Sequence, residues 1–269
     1  MNKHFFAGLM AFVWLSASLS LTAQNTDTTG KAGFIKDSLP SKVINWNTPP
    51  AKRAFPYKSF LLPATFVAYG IVSLNTDAFR DVNETVKEEV YTERHPRAMH
   101  LDNYLQYAPA VAVYGLNAAG IHGKNNFRDR TIIYGISSLI MGTAVYSVKN
   151  IAGETRPDGS DNLSFPSGHT ATAFAAAEFL RQEYKDVSPW YGIAGYAAAA
   201  ATGYLRISNN KHWMGDIAAG AGIGIISTKL AYWMYPAIKR TLFKNKEVHT
   251  IVMPSYQNGV LGLGMVHHF

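Results

Sequence analysis

The chain has 269 residues, 48% of them hydrophobic and 16% charged, with 25 Lys and Arg against 18 Asp and Glu for a formal charge of +7 and a pI near 9.4. That is enough length for one generous domain or two small ones, and enough apolar content for a real core. The basic residues are scattered and form no stripe beside a reading element, which argues against nucleic acid and leaves an anionic small substrate or a membrane surface.

Residues 1–23 begin with Lys3, continue through an apolar centre and end in small residues near Ala23, the pattern of a secretory signal peptide, although Leu21 makes the cleavage box imperfect. Export is therefore expected, and with no cysteine in the chain no disulfide holds the exported protein together. Residues 24–56, rich in Thr, Asn, Lys and Pro, read as an irregular arm. Residues 57–240 contain six Gly- and Ala-rich apolar stretches, from SFLLPATFVAYGIVSLN to IAAGAGIGIISTKLAYWMY, whose length and apolar density predict helix. Between the first two lies a charged segment with helical propensity that ends at His95-Pro96. The tail, 241–269, alternates around Asn258-Gly259, a two-residue hairpin signal, and one hairpin cannot close a barrel. The fold class expected is all-α, a six-helix bundle with a short C-terminal β-hairpin.

Several helices have uncharged runs of nearly spanning length, yet the mean hydropathy of −0.04 is low for a polytopic membrane protein. Behind a signal peptide the first helix starts on the exported side, so three crossings bring the end of the third into the cytoplasm. The basic cluster Lys239, Arg240, Lys244 and Lys246 favours cytoplasm after the last helix, placing the loop before it outside. These inferences conflict if all six stretches span. Either one does not cross, or the bundle is exported and soluble or surface-bound. The expected location is periplasmic, or membrane-associated with the site on the periplasmic side.

Three short blocks fall at predicted helix ends. KNIAGETRP carries Lys149, six intervening residues, then Arg156-Pro157; Pro166-Ser167-Gly168-His169 opens an alanine-rich run; RISNNKHWMGD carries Arg206, five residues, His212, three residues, then Asp216. Guanidinium groups present paired donors matched to phosphate oxygens, and Lys adds a point charge. Ser167 and Gly168 lie where a helix begins, so free N–H groups and the helix dipole favour an anion, and glycine permits close approach. His212 and Asp216, four apart, share a helix face; the carboxylate fixes the imidazole tautomer and frees the other nitrogen to attack. His169 can donate a proton to a leaving oxygen. Taken singly, Ser-Gly-His is a cap, His-x-x-x-Asp a surface contact, Lys149 a helix C-terminal charge and Arg156-Pro157 a loop. Those readings account poorly for three blocks in this order.

The set resembles the signatures of the type 2 phosphatidic acid phosphatase and vanadium haloperoxidase superfamily, K-x6-RP, PSGH and SR-x5-H-x3-D, over roughly residues 100 to 235, with Leu205 standing where the family usually has Ser. The resemblance implies a metal-independent phosphatase of phosphate monoesters or diphosphates, lipid-linked ones above all, acting through a phosphohistidine. His212, oriented by Asp216, is then the nucleophile and His169 the acid; Lys149, Arg156, Ser167, Gly168 and Arg206 bind the phosphate. No cofactor is expected, vanadate entering only under the haloperoxidase alternative. A soluble periplasmic acid phosphatase for small esters is another, and a decayed relative acting as an envelope scaffold a third. His95, His100 and His122 lack metal-ligand spacing, as does the terminal His267-His268. Glu154, Asp158 and Asp161 could sit at the pocket mouth, with Asp158-Gly159-Ser160 reading as a turn.

Overall fold

A computed structural model of the chain describes residues 54–243 with their side chains and residues 250–257 and 260–267 as backbone. The expected leader, the arm up to residue 53, and the Asn258-Gly259 turn lie outside the described residues. Between 54 and 243 all the regular structure is helical. Helix α1 is Lys58–Asn75, α2 Asp77–Lys87, α3 Asp102–Leu105, α4 Ala108–Ala118, α5 Phe127–Ala152, α6 Gly168–Tyr184, α7 Pro189–Ser208 and α8 Met214–Leu242. Strands β1, Thr250–Gln257, and β2, Val260–His267, pair antiparallel, with Gln257 opposite Val260.

Local chemistry sets the ends of these helices. Asn126 caps α5 by accepting the Asp129 N–H at 2.8 Å, and Gly153, left-handed at φ 60°, closes it. Ser188 caps α7, and Pro189 follows at its first position, where a missing N–H costs nothing. The charged segment forms α2 and then a π-helical turn over Glu88–Thr92, and the chain turns at His95 with φ 45°. Thr76 is extended between α1 and α2, which meet at a bend of 98°.

The apolar stretches lie in α1 and in α4 to α8, and they pack around α6 and α8. Helix α6 is almost wholly buried, and its small residues let neighbours approach closely. On α8, a Cβ at Gly224 would stand 2.2 Å from the Ala171 carbonyl oxygen of α6, and one at Gly222 would stand 2.4 Å from that of Pro63 on α1. Phe179 stacks on Tyr134 at 4.7 Å, and the buried Tyr184 hydroxyl donates to the Val113 and Ile121 carbonyls at 3.0 Å. Helices α5 and α8 are long and apolar enough to cross a membrane, and α1 with α2 would add a bent third span. Helix α4, with 11 residues, is shorter than the ~17–25 a spanning helix needs.

The antiparallel course of the bundle gathers the three sequence blocks. The C-terminal ends of α5 and α7 and the N-terminal ends of α6 and α8 meet at one end.

Candidate active site

Every one of the eight predicted site residues lies at that end, and the geometry ties most of them directly together. His212 is 3% exposed in the short loop between α7 and α8. Its Nδ1 lies 3.2 Å from Asp216 Oδ2, and its Nε2 3.2 Å from Arg156 Nη1. Arginine only donates, so Nε2 is the acceptor and Nδ1 carries the proton toward the carboxylate. Burial pushes the His212 pKa down to about 4 against the pull of Asp216, with Arg206 and Arg156 adding to the fall. The imidazole is therefore neutral at pH 7, with its free lone pair on Nε2.

Asp216 is positioned by more than its histidine. Its Oδ2 also accepts from the Trp213 N–H at 2.9 Å and from the Ser164 hydroxyl. Its backbone carbonyl accepts from Ser167 N–H at 3.1 Å, which joins the start of α8 to the start of α6. Ser167 caps α6: its Oγ accepts from Thr170 N–H at 3.4 Å and from the Thr170 hydroxyl at 2.9 Å. The N–H groups of Gly168 and His169 open that helix and have no intrahelical carbonyl to bond. At Gly168 a Cβ would touch only Val145, at 3.8 Å. Protein packing thus leaves this position open.

The cations surround this centre. Arg156 donates Nε to Asp161 Oδ1 at 2.7 Å and Nη1 to the Lys211 carbonyl at 3.1 Å. Lys149 donates to the carbonyls of Leu163 and Ser164, bracing the segment that leads into Ser167. Arg206 donates Nη1 to the buried Asp102 at 2.6 Å, while its Nε is buried with no hydrogen-bond partner among the described residues. An unpaired buried donor is costly, and an incoming anion would satisfy it. Nε2 of His169 lies 2.9 Å from Asn103 Oδ1. Burial lowers the His169 pKa, and the charges of Arg206, Arg156 and Lys149 lower it further against the pull of Asp102.

Asp158 and Asp161 tie the site's loops together. Asp158 forms the expected turn, accepting the Ser160 N–H at 3.0 Å with Gly159 at φ 70°, and also pairs with Lys211 at 2.5 Å. These bonds take its pKa down to about 2, against its partial burial. Among the described residues no group of three or more His, Asp or Glu is placed to hold a metal.

Sequence reasoning missed Ser164, Asp102 and Asn103. Ser164 stands two residues before the Pro166-Ser167-Gly168-His169 block, but nothing local announces that its hydroxyl reaches Asp216. Asp102 and Asn103 belong to no motif; they reach Arg206 and His169 across 104 and 66 residues of chain.

A buried His–Asp pair, three cations and a helix start converge at one end of the bundle. The chain belongs to the PAP2 superfamily, whose family model matches residues 131–240. It is 34% identical over 182 residues to a lipid A 1-phosphatase of Porphyromonas gingivalis, a match covering 67% of this chain and 40% of that protein. It is 30% identical over 202 residues to the bacitracin transport permease protein BcrC of Bacillus licheniformis, covering 68% of this chain and 92% of that one. A solved transmembrane PAP2-type phosphatidylglycerolphosphate phosphatase from Bacillus subtilis is 19% identical with a TM-score of 0.47, over 66% of this chain and 98% of that one. The chain thus spans about two fifths of the Porphyromonas protein and nearly all of BcrC. The length and apolar character of α5 and α8 support membrane association.

Proposed function

We propose that the chain is a metal-independent phosphatase that removes phosphate from lipid monoesters or diphosphates through a phosphohistidine on His212. The bonding of that imidazole carries the reading: Nδ1 is held by a buried carboxylate, and the Nε2 lone pair faces a guanidinium. As phosphate enters, Arg156 can exchange its bond to Nε2 for a phosphate oxygen, and Arg206 Nε gains the acceptor it lacks. Lys149 and the N–H groups at the start of α6 complete the cradle. Positioned charge is the main catalytic device in phosphoryl transfer.

The Nε2 lone pair attacks phosphorus; the N–P bond forms as the P–O bond to the leaving group breaks, and His169 gives its proton to the departing oxygen. Water then attacks phosphorus and loses a proton to His169. The N–P bond breaks, its electron pair returns to Nε2, and inorganic phosphate leaves. The bound phosphate offsets the cations that depress the His169 pKa, so substrate itself favours the protonated acid. A lipid substrate suits the exposed apolar face of α5, where Leu139 and Tyr146 are about 70% exposed, and the lipid phosphate named for the Porphyromonas relative.

The test is phosphate release by the purified protein, with EDTA present, from a phosphatidate, an isoprenyl diphosphate and a soluble ester. Release from the lipid substrates in EDTA is expected, with acid-labile label trapped on the wild type but not on His212→Ala. That variant should lose at least about 10³-fold in kcat. Full activity of His212→Ala would sink the mechanism, and loss of activity in EDTA would sink metal independence.

A further inference from the structure

At the opposite end of the bundle, where the segment leading into α1, the C-terminal end of α6 and the C-terminal half of α8 come together, lies a cavity of about 380 Å³ lined by Lys124, Arg181, Lys185, Lys229 and Trp233. It is remote from the catalytic centre: from Asp216 to Lys229 is 13 residues of α8, about 20 Å at 1.5 Å per residue. Four cations line it, against two buried carboxylates, Glu178 and Glu183, the latter accepting from the hydroxyl of the lining Tyr232 at 2.5 Å. Glu178, fully buried beneath it, accepts from Arg181 Nε at 2.8 Å and Nη2 at 2.6 Å and pairs with Lys229 at 3.2 Å. Lys124 and Lys185 have no carboxylate within salt-bridge distance among the described residues.

Two further observations favour an anion there. The indole N–H of Trp233 is buried on this wall with no hydrogen-bond partner among the described residues. Burial depresses the Lys185 pKa, and the like charges of Lys124 and Arg181 depress it further. A group seated among them would relieve that repulsion and accept the orphan N–H. The cations come from the loop before α5, from the C-terminal end of α6 and from α8. Basic pockets between apolar helices, with an indole at hand, are a recurring design for lipid headgroups.

We propose that this cavity is a second anion site, holding one phosphate-bearing group, an anionic lipid headgroup or free phosphate, at the end of the bundle opposite His212.

The experiment counts ligands retained by the full chain in phosphatidylcholine nanodiscs, by native mass spectrometry, on titration with short-chain phosphatidylglycerol and separately with inorganic phosphate. It compares the wild type with Arg156→Ala, which weakens the catalytic pocket, and with the double variant Lys124→Ala/Lys185→Ala. One anion should persist in Arg156→Ala, and its affinity should fall at least tenfold in the double variant while the helical circular dichroism is unchanged. The charge-conserving pair Lys124→Arg/Lys185→Arg should retain it, which keeps the test valid if the alanine pair misfolds. Retention of the lipid alone identifies a headgroup site, and retention of both ligands a site for phosphate as such. Loss of all binding in Arg156→Ala, wild-type retention in the double variant, or no retention of either ligand by the wild type overturns the proposal.

Discussion

Asp216 Oδ2 receives three donors, from the His212 ring, the Trp213 backbone and the Ser164 hydroxyl. Such convergence holds one tautomer of His212, so replacing Asp216 by Asn should reverse or loosen the ring while leaving the side-chain volume intact. A fall of roughly 10²–10⁴-fold in kcat is expected, by analogy with carboxylates that orient histidines elsewhere, and steady-state kinetics on phosphatidate would measure it. Asp102→Ala should release Arg206 from its 2.6 Å anchor and lower kcat/KM about 10–100-fold, with the helical signal preserved. The pH dependence follows from His212. Its folded pKa of about 4 lies below the ordinary 6.5, so the unfolded chain binds the proton first as pH falls. The stability it contributes is present above pH 6.5 and is lost as pH falls through 4, a change on the order of 3 kcal/mol. Chemical denaturation at pH 7 and pH 4 should show that loss in the wild type and a smaller one in His212→Asn. With His212 as the proposed nucleophile, protonation of the folded imidazole should make kcat/KM fall below pH about 4. The eight predicted site residues were legible because helix-end motifs fix spacing within a few residues. Ser164, Asp102 and Asn103 were not, because their bonds to the site depend on how segments far apart in sequence are brought together.

Helix α8 shows how the elements hold those residues in register. Its Gly220 and Gly224 face the backbone of α6, and Gly222 faces that of α1, with Cβ clearances of 2.6, 2.2 and 2.4 Å to carbonyl oxygens. In an apolar environment small residues of this kind let helix backbones pack directly. Gly224→Ala should force α8 away from α6, lowering the thermal midpoint by the equivalent of about 1–3 kcal/mol and reducing activity by moving Asp216. Gly142→Ala on α5, whose Cβ would meet nothing within 4 Å, should leave the midpoint unchanged or raise it. Differential scanning fluorimetry in detergent distinguishes the two. Apolar density announced the helical stretches. It could not announce which glycines pack on which neighbour, because all three lie in one Gly- and Ala-rich run. The charged segment also runs less regularly than its composition suggested: a π-helical turn follows α2 before the chain turns at His95.

Across the whole molecule, the distribution of exposed apolar surface matters more than its average. The mean hydropathy of −0.04 is that of all 269 residues, the polar stretch 24–56 and the loops included. Helix α5 has a mean hydropathy of 1.5 over a spanning window, with 17% of that window buried inside the protein. Surface of that kind is normally covered by lipid or a partner. The protein should sediment with membranes, resist release by high salt or alkaline carbonate, and enter solution with detergent; release by salt alone would count against insertion.

The order Lys149, Arg156, Ser167, Gly168, His169, Arg206, His212 and Asp216 is written in local spacing, so the chain alone pointed to phosphate chemistry and to helix ends. Folding decided what those ends face. It set the Nδ1 proton of His212 toward Asp216 and the Nε2 lone pair toward Arg156, and it left Arg206 Nε without a partner among the described residues. It also gathered Lys124, Arg181, Lys185 and Lys229 around one cavity, although they are dispersed over 106 positions of sequence. Local motifs encode covalent spacing and helix phase. Protonation and charge balance depend on burial and on neighbours from other helices, and these exist only once the bundle has closed.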